Sequence, residues 1–498
     1  MSKWLRKTLP LTVDMRPADR YAGAWQADPV PEWLASQPSL LQAHCQTDRG
    51  DMLTPYNTQY VADGKGLSAY GGMSLFIAFT QKLGLGAALR RHLRFAKRRS
   101  DYSPTQLGEC LVDAIACGIS RIENTNLLRD DPLLAAARGL TTFPDHATVH
   151  RYISAFTRPH VAQLQKVAET LFGQANRPAK RTRVTLDFDA TDAVVYGQQE
   201  EAAFGHKNAR AGHREYQIET CFLGSSRDVV HHQVRAGNVN SGPGFPVFVE
   251  ESLARLSAEM VVWLLRADAA YFSVENVRAL DEKPFGYLVG CTAYKFLLDK
   301  AYAQACWQRI SPEEEVCSIQ HAFRDGVSRR VLIARHPDPK QTRPKQNGQP
   351  ALLEVSACAR EGYKHFACVV SDRLAHLSNN RLWQSYAGRS NLENAIKESK
   401  LGFGLEALPS KRFAANQAYA GFVFLAYNLV NWFKRYAFGD DPLGHRQIKA
   451  VRQWVLCVPA LIERAADHWR VRLPEGHPSL PLFARIQAFL AQGKPVVT

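Results

Sequence analysis

The 498-residue sequence lacks a long uncharged apolar run, a Cys-x-x-Cys pair, an internal repeat and the apolar core of a signal peptide. Its longest apolar stretch, from Phe413 to Phe433, contains four side-chain amides, which indicates a buried helix rather than a membrane span. Without a Cys-x-x-Cys pair, neither a zinc ribbon nor a thioredoxin-like site is indicated, and we expect the ten cysteines to be reduced and mostly buried. These absences predict a soluble cytoplasmic protein with no membrane partner.

Acidic residues are few relative to basic ones. The chain has 47 Asp and Glu against 62 Lys and Arg, which gives a formal net charge of +15 and a pI near 9.4. Such a balance favours a polyanionic partner, and nucleic acid is the first candidate. The densest basic run, RRHLRFAKRR, contains Arg90, Arg91, Arg94, Lys97, Arg98 and Arg99. Runs of this kind are commonly solvated faces, and contact with DNA phosphates is the functional alternative.

The periodicity of the apolar residues divides the chain into segments. From Gly71 they recur at threes and fours, as in helices, and Ser103 before Pro104 is an expected N-cap. From Arg183 the period becomes two, as in strands, and after residue 380 it is helical again. The predicted segments are an N-terminal arm (1–68), an all-helical DNA-binding domain (69–180), the first part of an α/β domain (181–290), a β-strand-rich insertion (291–370), the second part of the α/β domain (371–435) and a C-terminal helical tail (436–498).

A candidate recognition helix lies inside the helical segment. The sequence TTFPDHATVHRYISAF predicts a turn, a cap at Asp145 and a helix whose polar side chains include Thr148, His150 and Arg151. This pattern resembles the second helix of a helix-turn-helix, which would place those three residues against DNA. A plain amphipathic helix packed through its apolar side chains explains the pattern equally well.

Three carboxylates stand at positions where separate elements could bring them together. Asp189 is on a strand whose other face is apolar, Asp268 ends the buried run MVVWLLRAD, and Glu393 lies on a later helix. Hydrolysis of a DNA phosphodiester needs charge neutralisation at the attacking and leaving oxygens, which two divalent ions about 4 Å apart supply. Carboxylate oxygens are hard ligands, so the predicted cofactor is Mg²⁺ or Mn²⁺, two ions per site.

The segment YAGRSNLENAIKESK contains one acid among several cations. Arg389, Glu393, Lys397 and Lys400 follow one another at offsets of four, four and three residues, so they form one stripe on a helix. A solvated face of acid–base pairs is the structural alternative.

Together the sequences TLDFDATD, LLRADAAYFS and YAGRSNLENAIKESK resemble those of insertion-sequence DDE transposases with the Tyr-x2-Arg-x3-Glu-x6-Lys (YREK) signature. Tyr386, Arg389, Glu393 and Lys400 match this spacing without a gap. The resemblance covers residues 70 to 435, and the spacing of 393 − 268 = 125 residues between the last two acids leaves room for a β-strand insertion.

The resemblance implies a ribonuclease-H-like catalytic domain with a mixed α/β sheet, in which Asp189, Asp268 and Glu393 are the catalytic metal ligands. Members of the family carry Asp-x-Thr or Asp-x-Ser at the first position, which favours Asp189 over Asp187. Tyr386, Arg389 and Lys400, assisted by Lys397, would contact phosphates near the cleaved DNA end. Relatives also hold a flipped base on a tryptophan, and neither Trp307 nor Trp383 is matched to that role by a motif.

The implied function is cut-and-paste DNA transposition. A homodimer would bind double-stranded DNA at the terminal inverted repeats, cleave both ends by two-metal-ion hydrolysis and join the 3′-hydroxyls to target DNA, associated with a bacterial nucleoid. A catalytically silent, transposase-derived DNA-binding regulator and a less specific ribonuclease-H-like nuclease are the alternatives.

Overall fold

The computed structural model describes residues 61, 63–96, 100–205, 212–304, 306–338, 359–360 and 362–492. The helices and strands given below all lie in the compact unit Lys65–Thr498. Most of the predicted N-terminal arm therefore lies outside the described residues, as do Lys97, Arg98 and Arg99 of the basic run.

Helices dominate the described residues before residue 177. The described elements are β1 (Leu67–Ser68), α1 (Met73–Leu83), α2 (Leu85–His92), α3 (Pro104–Cys117), α4 (Pro132–Arg138), α5 (His146–Ser154) and α6 (Arg158–Asn176), with a 3-10 helix at Ile122–Leu128. The expected N-cap of α3 is present, because the Ser103 hydroxyl accepts from the backbone N–H of Gln106 and the Gln106 side chain bonds back. Gly118, in the left-handed conformation at φ 98°, ends the same helix.

The second half of the described chain is built on a mixed sheet. Its strands are β2 (Thr182–Val195), β3 (Ala203–Phe204), β4 (Arg214–Leu223), β5 (Val229–Ala236), β6 (Met260–Ala267), β7 (Gly286–Cys291), β8 (Gln308–Ser311), β9 (Glu314–Ala322), β10 (Ser328–Pro337), β11 (Ala359–Arg360) and β12 (Tyr363–Val370). The order is β3-β4-β2-β6-β7-β12-β10-β9-β8, with β5 on β4 and β11 on β12. β2, β6 and β7 are parallel and the other neighbours antiparallel, which confirms the predicted mixed α/β fold.

The strands of the predicted insertion continue this sheet. β12 pairs with β7 in the register Val369↔Val289, and β10, β9 and β8 follow outward. Between β7 and β8 lies a helix that the sequence analysis did not predict, α9 (Lys295–Gln304). Its buried residues are Leu297, Leu298 and Ala301. The described residues of segment 291–370 are thus rich in strands, with one helix, and the bounds of the insertion stay a prediction.

Helices cover both faces of the sheet. On one face Phe188 of β2 packs edge-on against Phe245 and Phe248 of α7 (Phe245–Leu253), at ring distances of 5.3 and 5.7 Å. α8 (Val274–Asp281) follows β6. On the other face a smaller core joins Leu264 and Leu288 to Trp383 of α10 (Asn379–Ala387).

Two further helices follow α10 in the chain. They are α11 (Ser390–Phe403) and α12 (Phe413–Ala437), and α12 is the buried helix expected from the long apolar stretch. No helix in the described part of the chain is long and apolar enough to cross a membrane. Eight described cysteines are free thiols, six of them buried, as expected.

The predicted helical tail is only partly helical. It contains α13 (Ile448–Val451), β13 (Ala460–Arg464), β14 (Trp469–Arg472) and α14 (Leu480–Ala491). β13 pairs with both β14 and β1, which forms a three-stranded sheet. The sequence ALIER has no clean alternation and every residue of WRVR is exposed, so neither strand has the period-two apolar pattern from which strands are predicted.

Candidate active site

Asp189 lies in the middle of β2, between β4 and β6. It is opposite Thr220 of β4, whose hydroxyl donates to the Asp189 carbonyl oxygen at 3.0 Å. Its side chain is 12 % exposed and lies against the Arg389 guanidinium. The carboxylate therefore lies at the buried end of the site.

Asp268 directly follows β6, which is parallel to β2. The register Phe188↔Ala267 places Asp268 beside Asp189. The Asp268 carboxylate accepts from the backbone N–H of Ala269 at 2.6 Å and so caps a 3-10 turn at Ala269–Tyr271. This cap fixes the carboxylate at the end of the strand, with the side chain 43 % exposed.

Glu393 is in the first turn of α11, and its side chain is 67 % exposed. Arg389 precedes the same helix at its N-cap. The two residues are one turn apart, so their side chains lie on one face of the helix toward the sheet.

The three acids converge on the guanidinium of Arg389. Its Nη1 is 2.9 Å from Asp189 Oδ2, and its Nη2 is 3.8 Å from Asp268 Oδ1 and 3.9 Å from Glu393 Oε1. The Nε of Arg389 is buried and has no hydrogen-bond partner. The structure thus brings together the three carboxylates predicted from sequence, around a cation of the chain itself.

Burial controls the charge of the innermost acid. Burial is the largest cause, and together with nearby Asp268 and Glu393 it raises the pKa of Asp189 to about 6, against the opposing effect of Arg389. The Arg389 guanidinium therefore favours the ionised form of this carboxyl group.

The donor set fits a hard divalent cation. Its ligating atoms would be carboxylate oxygens, which Mg²⁺ and Mn²⁺ prefer, and the Arg389 guanidinium already marks the point where positive charge is stabilised. Among the described residues no group of three or more His, Cys, Asp or Glu is arranged to hold a metal ion. The acids surround a guanidinium instead, so they would have to close in once it leaves.

A cavity of ≈ 430 Å³ opens above the acids. It is lined by the three carboxylates and Arg389, and also by Lys397 and Lys400. Lys400 donates to the Asp192 carbonyl oxygen at 2.9 Å and pairs with Glu406 at 2.8 Å. Tyr386 is partly buried, with its ring 5.8 Å from the Arg389 guanidinium. Arg389, Glu393 and Lys400 therefore line one cavity, and the Tyr386 ring lies beside Arg389.

The other predicted DNA contacts lie on the helical part of the chain. Arg90 and Arg91 on α2 and Arg94 after it are exposed. On α5 the Asp145 cap is present, since its carboxylate accepts from Thr148 N–H at 2.7 Å. His150 and Arg151 are exposed, and Thr148 is half-buried.

The buried side of α5 carries Val149, Tyr152 and Ile153. This arrangement suits both interpretations of α5, and its role in DNA binding stays a prediction.

Neighbouring acids are engaged elsewhere. Glu398 accepts from the backbone N–H of Ile448 at 2.6 Å, away from the cavity. Asp187 forms a buried ion pair with Arg266, which leaves Asp189 as the strand carboxylate that faces Arg389. Trp383 is buried and donates to Glu314 at 2.6 Å, while Trp307 lies 4.2 Å from the Arg335 guanidinium.

Sequence reasoning missed Arg266 and the pairing role of Arg389. The signal for Arg266 was its charge inside the apolar run MVVWLLRAD, where a buried cation requires a partner. Nothing in the pattern showed which acid that partner was.

Three comparisons with known proteins bear on this chain. The family described as Transposase DDE domain group 1 matches residues 55–495. Similar solved structures include the cryo-EM structure of the piggyBac transposase synaptic complex with hairpin DNA, at a TM-score of 0.43 and 10 % identity, over 77 % of this chain and 79 % of that one. The comparison with curated proteins gave no match.

Proposed function

The chain belongs to the family of DDE transposases of group 1, and on this premise we propose that it is an insertion-sequence transposase of the YREK type that performs cut-and-paste transposition. It would bind terminal inverted repeats as a homodimer, cleave the DNA ends and join the 3′-hydroxyls to target DNA. The observation that carries the proposal is the convergence of Asp189, Asp268 and Glu393 on one guanidinium.

Under this proposal Asp189, Asp268 and Glu393 hold the divalent ions. Bound there, Mg²⁺ or Mn²⁺ would activate a water and neutralise charge on the phosphodiester. The buried Asp189 supports the inner end of the site, and the exposed Glu393 supports the side open to solvent.

The basic residues of the site would bind the DNA phosphates. Arg389 neutralises the acids in the free protein, and we propose that it turns to a phosphate when DNA enters, since its planar fork suits phosphate oxygens. Lys397 and Lys400 line the same cavity and would hold the flanking phosphates, with Tyr386 beside them.

The test is cleavage of labelled DNA carrying the element's own ends, with and without Mg²⁺. Glu393→Gln should abolish metal-dependent nicking and leave end binding intact. Glu398→Gln is the matched control on the same helix, because Glu398 faces Ile448 rather than the cavity, and it should cut normally. Nicking that survives Glu393→Gln would remove this residue from the site.

A catalytically silent DNA-binding regulator is the second candidate. The pairing of all three acids with Arg389 favours it, because an acid cluster neutralised by the chain itself needs no metal to persist. Tight binding of end DNA by the parent protein, without nicking at any Mg²⁺ or Mn²⁺ concentration, would establish this function. Cutting that ignores end sequence would instead indicate a less specific nuclease.

A further inference from the structure

A buried ion pair lies directly beneath the candidate active site. Arg266 of β6 donates from Nε to Asp187 Oδ1 at 2.5 Å and from Nη2 to Asp187 Oδ2 at 2.7 Å, so the guanidinium forks onto the carboxylate. Both residues are buried. Asp187 and Arg266 are register partners in the parallel pair β2–β6.

The pair shares a sheet face with the acids above it. Asp187 precedes Asp189 by two residues and Arg266 precedes Asp268 by two, and residues two apart in a strand point to the same face. The ion pair is therefore one step below the Asp189 and Asp268 carboxylates, and it couples the two strands that carry them.

The third donor of Arg266 reaches a different element. Its Nη1 donates to the carbonyl oxygen of Ser385, near the end of α10. Gly388 follows at the junction of α10 and α11, and a Cβ there would be 2.9 Å from Arg266 Nη1. The guanidinium thus packs against the backbone that leads into Arg389 and Glu393.

Stability alone does not explain such a pair. The desolvation of two buried charges roughly cancels their attraction, so a buried ion pair adds little to folding compared with apolar side chains of similar volume. What a forked guanidinium does provide is fixed geometry toward two partners at once. From β6, Arg266 bonds to Asp187 on β2 and to the Ser385 carbonyl oxygen near the α10–α11 junction.

We infer that Arg266 is a positioning residue that holds the Glu393 helix in place over the Asp189 and Asp268 strands. It touches no reacting atom and acts through the backbone at Ser385 and through Asp187. The inference rests on the proposed function for its catalytic consequence, while the structural link itself is independent of it.

The experiment compares Arg266→Lys with Arg329→Lys in the full chain. Arg329 is a matched control, since it is equally buried in the same sheet and pairs with Asp281 and Asp325 at 2.7 and 2.8 Å. Lysine keeps the charge but loses the planar fork. Asp187→Asn serves as a second variant, because it keeps an oxygen acceptor and the bond from Arg266 to Ser385.

Hydrogen exchange is measured first, on each protein without DNA. Arg266→Lys should speed exchange of backbone amides over residues 385–393, Asp187→Asn should do so less, and Arg329→Lys should leave that segment unchanged. Unchanged exchange there in Arg266→Lys, or an equal rise in Arg329→Lys, would overturn the inference. This result holds whether or not the protein cuts DNA.

The Mg²⁺ dependence of end cleavage is the second readout. Arg266→Lys should raise the Mg²⁺ concentration for half-maximal nicking by about tenfold, as loss of outer support to metal ligands does, with end binding unchanged. A lower rate at an unchanged Mg²⁺ midpoint would show that Arg266 does not position the ligands. If the parent protein cuts nothing, the proposed function fails and hydrogen exchange alone decides the role of Arg266.

Discussion

Two arginines that pair with acids in this chain, Arg138 and Arg389, differ in how completely their donors are used. Arg138, among the N-terminal helices, bonds to Asp113 at 2.6 and 2.8 Å and to Glu109 at 3.0 Å, and all three side chains are buried or nearly so. Arg389 has one short contact and two near 3.8 Å, an unpartnered Nε, and acids that become more exposed from the strand to the helix. The Arg138 guanidinium has short bonds to its acids from all three nitrogens, whereas that of Arg389 has only one short bond. We interpret the first as a structural ion pair and the second as a contact that the arginine can leave.

Breaking the Arg138–Asp113 ion pair should reduce the free energy of unfolding more than removing Arg389 does. Arg138→Met leaves Asp113 buried without a counter-charge, and we expect the free energy of unfolding to fall by about 3–5 kcal/mol. Denaturant titration of the purified variant measures this. A loss below about 1 kcal/mol would show that Asp113 is protonated or rehydrated at little cost, and the contrast with Arg389 would disappear.

Replacing Arg389 should reduce DNA cleavage more than it reduces the stability of the fold. Arg389→Ala should lower the free energy of unfolding by less than Arg138→Met does, because Asp268 and Glu393 are open to water and only Asp189 is left buried without its partner. End cleavage should fall about 100-fold, since a donor to the reacting phosphate is removed. Parallel unfolding and cleavage assays on one preparation test both halves, and a large stability loss with normal cutting would reverse the assignment.

His232 is a third buried basic residue, and unlike the two arginines it stays in the neutral form. Burial lowers the pKa of His232 to about 3, with His231 and Arg255 adding to the effect, against an ordinary value of 6.5. The unfolded chain therefore binds the proton more readily, and stability should be lost as pH falls below 6.5, by about 1.4 kcal/mol per pH unit from this group.

His232→Gln should flatten that loss, and unfolding measured at pH 7 and pH 5.5 reports it. The control is His150→Gln at an exposed position, which should follow the parent curve. Identical pH dependence in His232→Gln and the parent would mean that His232 is protonated in the folded state.

The basic residues Arg90, Arg91 and Arg94 are exposed to solvent, in contrast to the Arg138 side chain. Replacing Arg90, Arg91 and Arg94 by alanine should leave stability unchanged and reduce the salt slope of DNA binding by about 3, since each arginine would neutralise one phosphate. Binding isotherms at several salt concentrations give the slope. An unchanged slope would place this cluster outside the DNA interface.

The convergence of the three acids could be expected from the sequence, and their role as metal ligands stays a prediction. Asp189, Asp268 and Glu393 stand in patterns that a strand, a strand end and a helix impose, and the mixed sheet followed from the same periodicities. The pairing of Arg389 with Asp189 and of Arg266 with Asp187 was not predictable, because the partners are 200 and 79 residues apart in the sequence. β14 was missed because all of its residues are exposed, and β13 because its sequence has no clean apolar alternation.

The contact between Arg389 and the acids also bears on how the free protein survives in solution. Three neighbouring carboxylates would repel one another, and in many metalloproteins a bound ion is needed to hold such a cluster together. Here the chain supplies its own counter-charge. Folding should therefore be indifferent to chelators, and the unfolding curve of the protein should be the same with and without EDTA.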